Sequence, residues 1–188
     1  MKAKCYLSRF FLIYTLFFNT MILNALNYDN DILNIFSKII PRFIIMSSQK
    51  EKVKDTLEIC ILHDDIDASE ALLLMHKINT DYPNGIQNYK INLLKTTYTE
   101  IKICENAQLI FMLNSSTNNI RKALNFSNQY NILTMSYDAG LLEDGVEISL
   151  FIGRKVLPYI NMKAINKNKI QLDNILLRVS KIFYEKEK

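Results

Sequence analysis

Leu57-Glu58-Ile59-Cys60-Ile61-Leu62-His63-Asp64-Asp65-Ile66-Asp67 is an apolar run that enters an acidic turn. Residues 57–62 suit a short strand. A helix follows to about Asn79, with Ala68, Ala71, Leu72, Met75 and Ile78 at helical spacing as its expected buried stripe and Leu74 alongside. Asp67 followed by Glu70 resembles a capping box with Asp in the cap role. The strand-then-helix pattern repeats along the chain. Residues 89–94 (YKINLL) read as a second strand after the turn Asp81-Tyr82-Pro83-Asn84-Gly85, and a short helix is expected over 97–103. Residues 108–113 (QLIFML) form a third strand, Asn114-Ser115-Ser116 turns into a helix over 117–129, and 131–136 (NILTMS) is a fourth strand. Strands alternating with helices predict a parallel sheet with helices on both faces.

The pattern changes after Gly140. Residues 146–152 and 156–162 are strands separated by Gly153-Arg154-Lys155, which reads as a β-hairpin. A last helix is expected over 169–183, with Leu172, Ile175, Leu176, Val179 and Ile182 as its stripe. The expected fold is therefore an α/β three-layer α/β/α sandwich. Its mixed sheet has a parallel core and a C-terminal antiparallel hairpin.

Ahead of this frame, Ile32, Leu33, Ile35, Phe36, Ile39 and Ile40 follow the acidic caps Asp29 and Asp31 at helical spacing. The helix is expected to stop before Pro41. Its apolar side, extended by Phe43-Ile44-Ile45-Met46, is wide for a small domain. It is either core or a face for a partner, with Ile39, Phe43, Ile44 and Met46 as the candidate partner surface.

The first 25 residues have the layout of a secretory signal. Lys2, Lys4 and Arg9 form a basic head, residues 10–23 (FFLIYTLFFNTMIL) are almost wholly apolar, and Asn24-Ala25 precedes the return of polarity. That run is short for a membrane span, which needs roughly 20 apolar residues. Cleavage near Ala25 leaves residues 26–188 as one domain, a length that buries a sizeable core without staples. The chain has 23 Lys and Arg against 19 Asp and Glu. Without the three basic residues of the signal the balance is 20 against 19, a net charge of +1. The Lys-containing stretches 50–54 and 163–169 are interleaved with polar or acidic residues and read as solvated faces. The expectation is no nucleic-acid partner.

Cys5 leaves with the signal, so Cys60 and Cys104 remain. An even pair in an exported chain points to a disulfide, with two separate buried thiols as the other possibility. Two Cys and two His, His63 and His76, lack close ligand spacing, so no metal or cofactor is expected.

The chain has no Gly-rich phosphate loop, no nucleophile elbow and no zinc-protease helix motif. One polar cluster stands out, His63, Asp64, Asp65 and Asp67, at the carboxyl end of the first strand, where open α/β sheets place ligands. Tyr137 and Asp138, after the fourth strand, belong to the same rim. These six residues are the candidate ligand rim for a cation or small polar ligand. The plainer alternative is a solvated loop in which Asp67 caps the helix. An active site needs a nucleophile, a base and an orienting group together, so the chain is not expected to be an enzyme.

The ordered series of segments resembles the YfiR family of small periplasmic proteins. The matching residues in the final third are Leu133-Thr134-Met135-Ser136, Gly145-Val146-Glu147-Ile148, Ile160-Asn161 and Leu176-Leu177-Arg178-Val179. At the front, Ile32-Leu33-Asn34-Ile35-Phe36-Ser37-Lys38 with Pro41 resembles the family's first helix. Residues 57–62 followed by Asp64-Asp65 resemble its first strand, and Cys104 ahead of Leu109-Ile110-Phe111 its second cysteine. The chain departs from the family in having no Trp and no second cysteine pair. The resemblance implies a periplasmic regulatory protein, not an enzyme, that binds and modulates a membrane signalling partner such as a diguanylate cyclase or histidine kinase. Cyclic-di-GMP signalling and a homodimer are further implications. The alternative is a periplasmic small-ligand-binding protein serving a transporter or receptor.

Overall fold

The computed structural model describes residues 28–184, so the expected signal lies outside the described residues. The chain opens with helix α1 (Asn30–Ile45) and continues through strand β1 (Thr56–His63), helix α2 (Ala68–Asp81), β2 (Lys90–Thr97) and β3 (Leu109–Met112). Helix α3 (Thr117–Tyr130), β4 (Leu133–Ser136), β5 (Ile148–Ile152) and β6 (Val156–Ile160) follow. Helices α4 (Met162–Lys167) and α5 (Asn174–Val179) precede the short β7 (Lys181–Ile182). The strands form one sheet of order β2-β1-β3-β4-β5-β6-β7. From β2 to β5 every pairing is parallel, β5 and β6 pair antiparallel, and β7 runs parallel to β6. The mixed α/β sheet with its antiparallel hairpin is the fold expected from the alternation of segments.

Period-two alternation divides the core between the two faces of this sheet. Ile59, Ile61, Leu109 and Phe111 pack with Phe36, Ile40 and Phe43 of α1, Leu74 and Ile78 of α2, and Ile165 of α4. Cys60, Leu62, Ile110 and Met112 face the other way, against Ile120, Ala123 and Leu124 of α3. β1 and β3 are thus covered on both sides, which is why their sequences alternate so little.

Several local expectations need correction, among them the buried stripe of α2, in which Leu72 is exposed and Leu74 is buried instead. Helix α1 does not stop before Pro41 but runs through it to Ile45. A proline inside a helix costs roughly 3 kcal/mol. The residues beyond it include Phe43 and Ile44, both buried in the core. Each contributes about 1.5–3 kcal/mol by burial, enough together to carry the helix past the break. The same burial removes Phe43 and Ile44 from the candidate partner surface, while Ile39 and Met46 stay half-buried. The single last helix expected over 169–183 is instead the short α5 followed by β7. Lys169 has φ 55°. Ser48 and Gln171 exchange hydrogen bonds, Asp173 N–H donates to the Met46 carbonyl, and Lys181 and Ile182 pair with the open edge of β6. Backbone pairing outweighs the helical spacing of the apolar residues there, leaving Ile175 and Val179 exposed. The segment 97–103 holds no α-helix, only a 3-10 turn at Ile101–Cys104. Finally, the Asp67 carboxylate does not cap α2, because it is engaged elsewhere.

Candidate functional site

β1, β3 and β4 end side by side, and their following loops make the carboxyl rim. The sequence places His63, Asp64, Asp65 and Asp67 in the first of these loops and Tyr137 and Asp138 in the last. His63 is buried, with Nδ1 2.8 Å from the Asp64 carbonyl. The Asp64 carboxylate turns to the loop after β3. It accepts a hydrogen bond from Ser115 Oγ at 2.7 Å and one from Asn119 Nδ2 at 3.4 Å. Asp65 is exposed. Asp138 is exposed too, and its carboxylate accepts from the Gly140 N–H at 2.8 Å, closing its own turn.

Asp67 and Tyr137 meet a third party, the segment leading into α1. Asp67 is buried, and desolvation holds its carboxyl above the ordinary range, with the Tyr28 hydroxyl as an opposing hydrogen bond. Tyr28 Oη also accepts from the Asn114 N–H at 3.0 Å. Burial pushes the Tyr28 phenol upward. Tyr137 Oη accepts from the Asp29 N–H at 2.7 Å. The Tyr28 and Tyr137 rings meet edge to face at 4.6 Å, and Tyr137 lies 5.8 Å from Phe36, which packs on Phe111 at 4.9 Å. Asp29 caps α1 through the N–H groups of Asp31 and Ile32. The place where an open α/β sheet offers a ligand crevice is therefore occupied by Tyr28 and Asp29 of the same chain.

The rim residues come together around contacts to one another and to the segment entering α1. Asp64 and Asp67 are engaged by Ser115, Asn119 and Tyr28, and no nucleophile stands beside a base. Among the described residues no three His, Cys, Asp or Glu side chains converge as a metal site. Tyr28, Asn114, Ser115 and Asn119 were missed in the sequence. Asn114 and Ser115 lie in the turn read after the third strand, which was the available signal, whereas no local pattern marks Tyr28 or Asn119.

A second buried polar centre lies at the amino ends of the strands. Glu147, just before β5, is fully buried. Its carboxylate accepts from the Thr134 N–H at 2.6 Å, Thr134 Oγ1 at 2.9 Å and Asn168 Nδ2 at 2.6 Å. Burial raises it from an ordinary value of 4.5 to about 7, with these donors and then the Lys52 charge opposing. Lys52 and Gln49 both donate to the Asn131 carbonyl nearby. A polar cleft of about 290 Å³ opens beside Asn168, lined by Arg121, Asn128, Asn161 and Lys167 among others. A lone acid in the apolar run 146–152 was the available signal for Glu147.

Cys60 of β1 and Cys104 of the 3-10 turn form a disulfide, Cα atoms 5.7 Å apart, both fully buried on the α3 side. It ties the turn between β2 and β3 to the middle of the sheet.

Residues 36–181 match the YfiR/HmsC-like family. The chain belongs to that family. It is a family of periplasmic regulators of diguanylate cyclase signalling, whose members generally interact with a membrane signalling protein. No curated protein matches this YfiR/HmsC-like chain in sequence. Solved structures share its fold. A conserved domain protein from Vibrio cholerae O1 biovar eltor superposes with a TM-score of 0.58 at 14% identity, over 80% of this chain and 59% of that one. The ABC domain in complex with L-Trp from Streptococcus pneumonia superposes with a TM-score of 0.57 at 8% identity, over 81% of this chain and 60% of that one. The chain thus spans about 60% of the length of each of these structures. Among the described residues no helix is long and apolar enough to cross a membrane.

Proposed function

We propose that this chain is a periplasmic regulatory binding protein, exported by residues 1–25 and working as a single domain over 26–188. It is not an enzyme. It binds a membrane signalling partner, a diguanylate cyclase or a histidine kinase, and biases that partner between two states. Such a bias requires different affinity for each state. Family membership supports the regulatory class. The observation that carries the choice against small-ligand transport is the rim closed by Tyr28 and Asp29. Open α/β sheets that bind small ligands keep that rim for the ligand.

The test is a pull-down of the tagged protein from cross-linked cell envelopes, with captured proteins identified by mass spectrometry. A membrane protein with a cyclase or kinase domain is the expected result. Capture of transport components alone would reject the proposal in favour of ligand delivery.

A further inference from the structure

Charge is divided unevenly along this chain. Residues 28–147 carry 11 Lys and Arg against 16 carboxylates, whereas residues 148–184 carry seven against one, Asp173. The second stretch supplies β5, β6 and β7 at one end of the sheet, with α4 and α5. A cationic end therefore adjoins an acidic body. Among the described residues the single carboxylate of that end is engaged as the cap of α5, accepting from the Ile175 N–H at 2.7 Å.

The same end carries a cluster of half-buried aromatic rings, with Tyr159 and Phe183 resting on the α3-side core. Along β5 and β6, Ile148, Leu150 and Ile160 point to the core beneath α1. Ser149, Phe151, Leu157 and Tyr159 alternate to the other face, and of these only Ser149 is buried. Phe151 and Tyr159 meet edge to face at 5.6 Å, and Tyr159 meets Phe183 at 5.5 Å. The Lys181 ammonium stands 3.3 Å from the Phe151 ring centre and 5.6 Å from that of Tyr159. Arg154 and Lys155 are exposed at the hairpin tip. Ile152, Val179 and Tyr184, more than half exposed, belong to the same end of the sheet.

We propose that this end docks on an anionic phospholipid surface, with its rings at the headgroup level and its cations among the phosphates. Amphipathic rings accompanied by Lys and Arg are what the bilayer interface selects. The centre of a specific protein interface is depleted in lysine, yet here a lysine covers the middle of the ring cluster. The acidic body is repelled from the same surface, which orients the molecule. The proposal does not depend on which membrane protein is regulated.

The test uses the chain from Leu26 onward, sedimented with protein-free vesicles. Vesicles of phosphatidylcholine alone are compared with vesicles carrying about 30% phosphatidylglycerol, at low and high salt. Retention is expected on the anionic vesicles only, falling severalfold as salt rises. Each cation at such a surface is worth roughly fivefold in partitioning, so Arg154→Glu with Lys155→Glu is expected to weaken it more than about tenfold. Lys102→Glu, an exposed cation of the acidic body, is expected to leave it within about twofold. Equal retention on neutral vesicles overturns the proposal, as does no retention on anionic ones or indifference to the double reversal. Capture by envelope membranes but not by protein-free vesicles also overturns it, in favour of an acidic protein partner.

Discussion

The two ends of the parallel strands hold their buried polar groups by different means. At the carboxyl ends the closure is brought from far away. Asp29 meets Tyr137 across 108 residues and Tyr28 meets Asn114 across 86. At the amino ends the buried carboxylate is held locally, Glu147 meeting Thr134 across 13 residues and Asn168 across 21, although Gln49 reaches the neighbouring Asn131 across 82. The distant closure depends on a segment anchored by a few side-chain contacts, and such segments open more readily than packed strands. The local closure is a buried carboxylate with its donors satisfied, which opens only if β4 and β5 part. A rim that looks vacant in a strand-by-strand account can thus be filled by residues from the other end of the chain.

The largest expected effect concerns neither end and sets the scale for both. Replacing Cys60 and Cys104 together by Ser should lower unfolding free energy by about 4 kcal/mol, the chain-entropy value for a loop of this size. Urea denaturation measures it. Because the bridge lies within the α3-side core, protection of both rims in hydrogen exchange should fall together. A loss at one rim alone would mean that the ends are not separated by a common core.

Glu147→Leu comes next. It strands the Thr134 and Asn168 donors in the interior and should destabilise by about 2–3 kcal/mol. Glu147→Gln retains one acceptor oxygen and should cost less. If the two variants unfold at the same urea concentration, hydrogen bonding at this centre is not what matters.

The pH dependence isolates the same end. Glu147 holds its proton more tightly folded than unfolded, since its value rises from 4.5 to about 7. Its contribution is fully present below the unfolded value, declines as pH rises towards 7, and is flat above. Thermal unfolding from pH 4 to 8 should show that decline in the native chain, with a flatter profile in Glu147→Gln. An identical slope in both would assign the titration elsewhere.

The smallest effects belong to the carboxyl rim. Tyr28→Phe removes one hydroxyl from Asp67 and Asn114, and Tyr137→Phe removes one acceptor from Asp29. Each should destabilise by about 1 kcal/mol. Exchange of the Asn114 and Asp29 amides should quicken while β3 stays protected. Loss of protection through β3 would show that the plug is part of the global fold.

The sheet was legible because strand-like apolar segments alternate with helical ones, and β3, covered on both faces, reads as an unbroken apolar run. The hairpin was marked by Gly153-Arg154-Lys155 between two apolar segments. What failed had a competitor that no local pattern displays. Core burial of Phe43 and Ile44 carried α1 through Pro41, and the open edge of β6 took Lys181 and Ile182 from the expected helix. Of the candidate rim, position was legible and state was not. His63, Asp64 and Asp67 do lie at the strand ends, but their partners Tyr28, Ser115 and Asn119 are brought by topology. Asp67 looked like a helix cap because the sequence cannot show a buried phenol arriving from residue 28.

The most direct test of this account asks whether the carboxyl rim is closed. Thermal unfolding of the native chain and of Tyr28→Ala would be measured with amino acids, small anions, divalent metals and p-cresol, which restores the missing side chain. The account predicts no shift for the native chain with any of them, and a rise in unfolding temperature for Tyr28→Ala with p-cresol alone. Stabilisation of the native chain by a metal or small molecule, abolished when Asp64 or Asp67 is replaced by Ala, would contradict it and make the rim a ligand site.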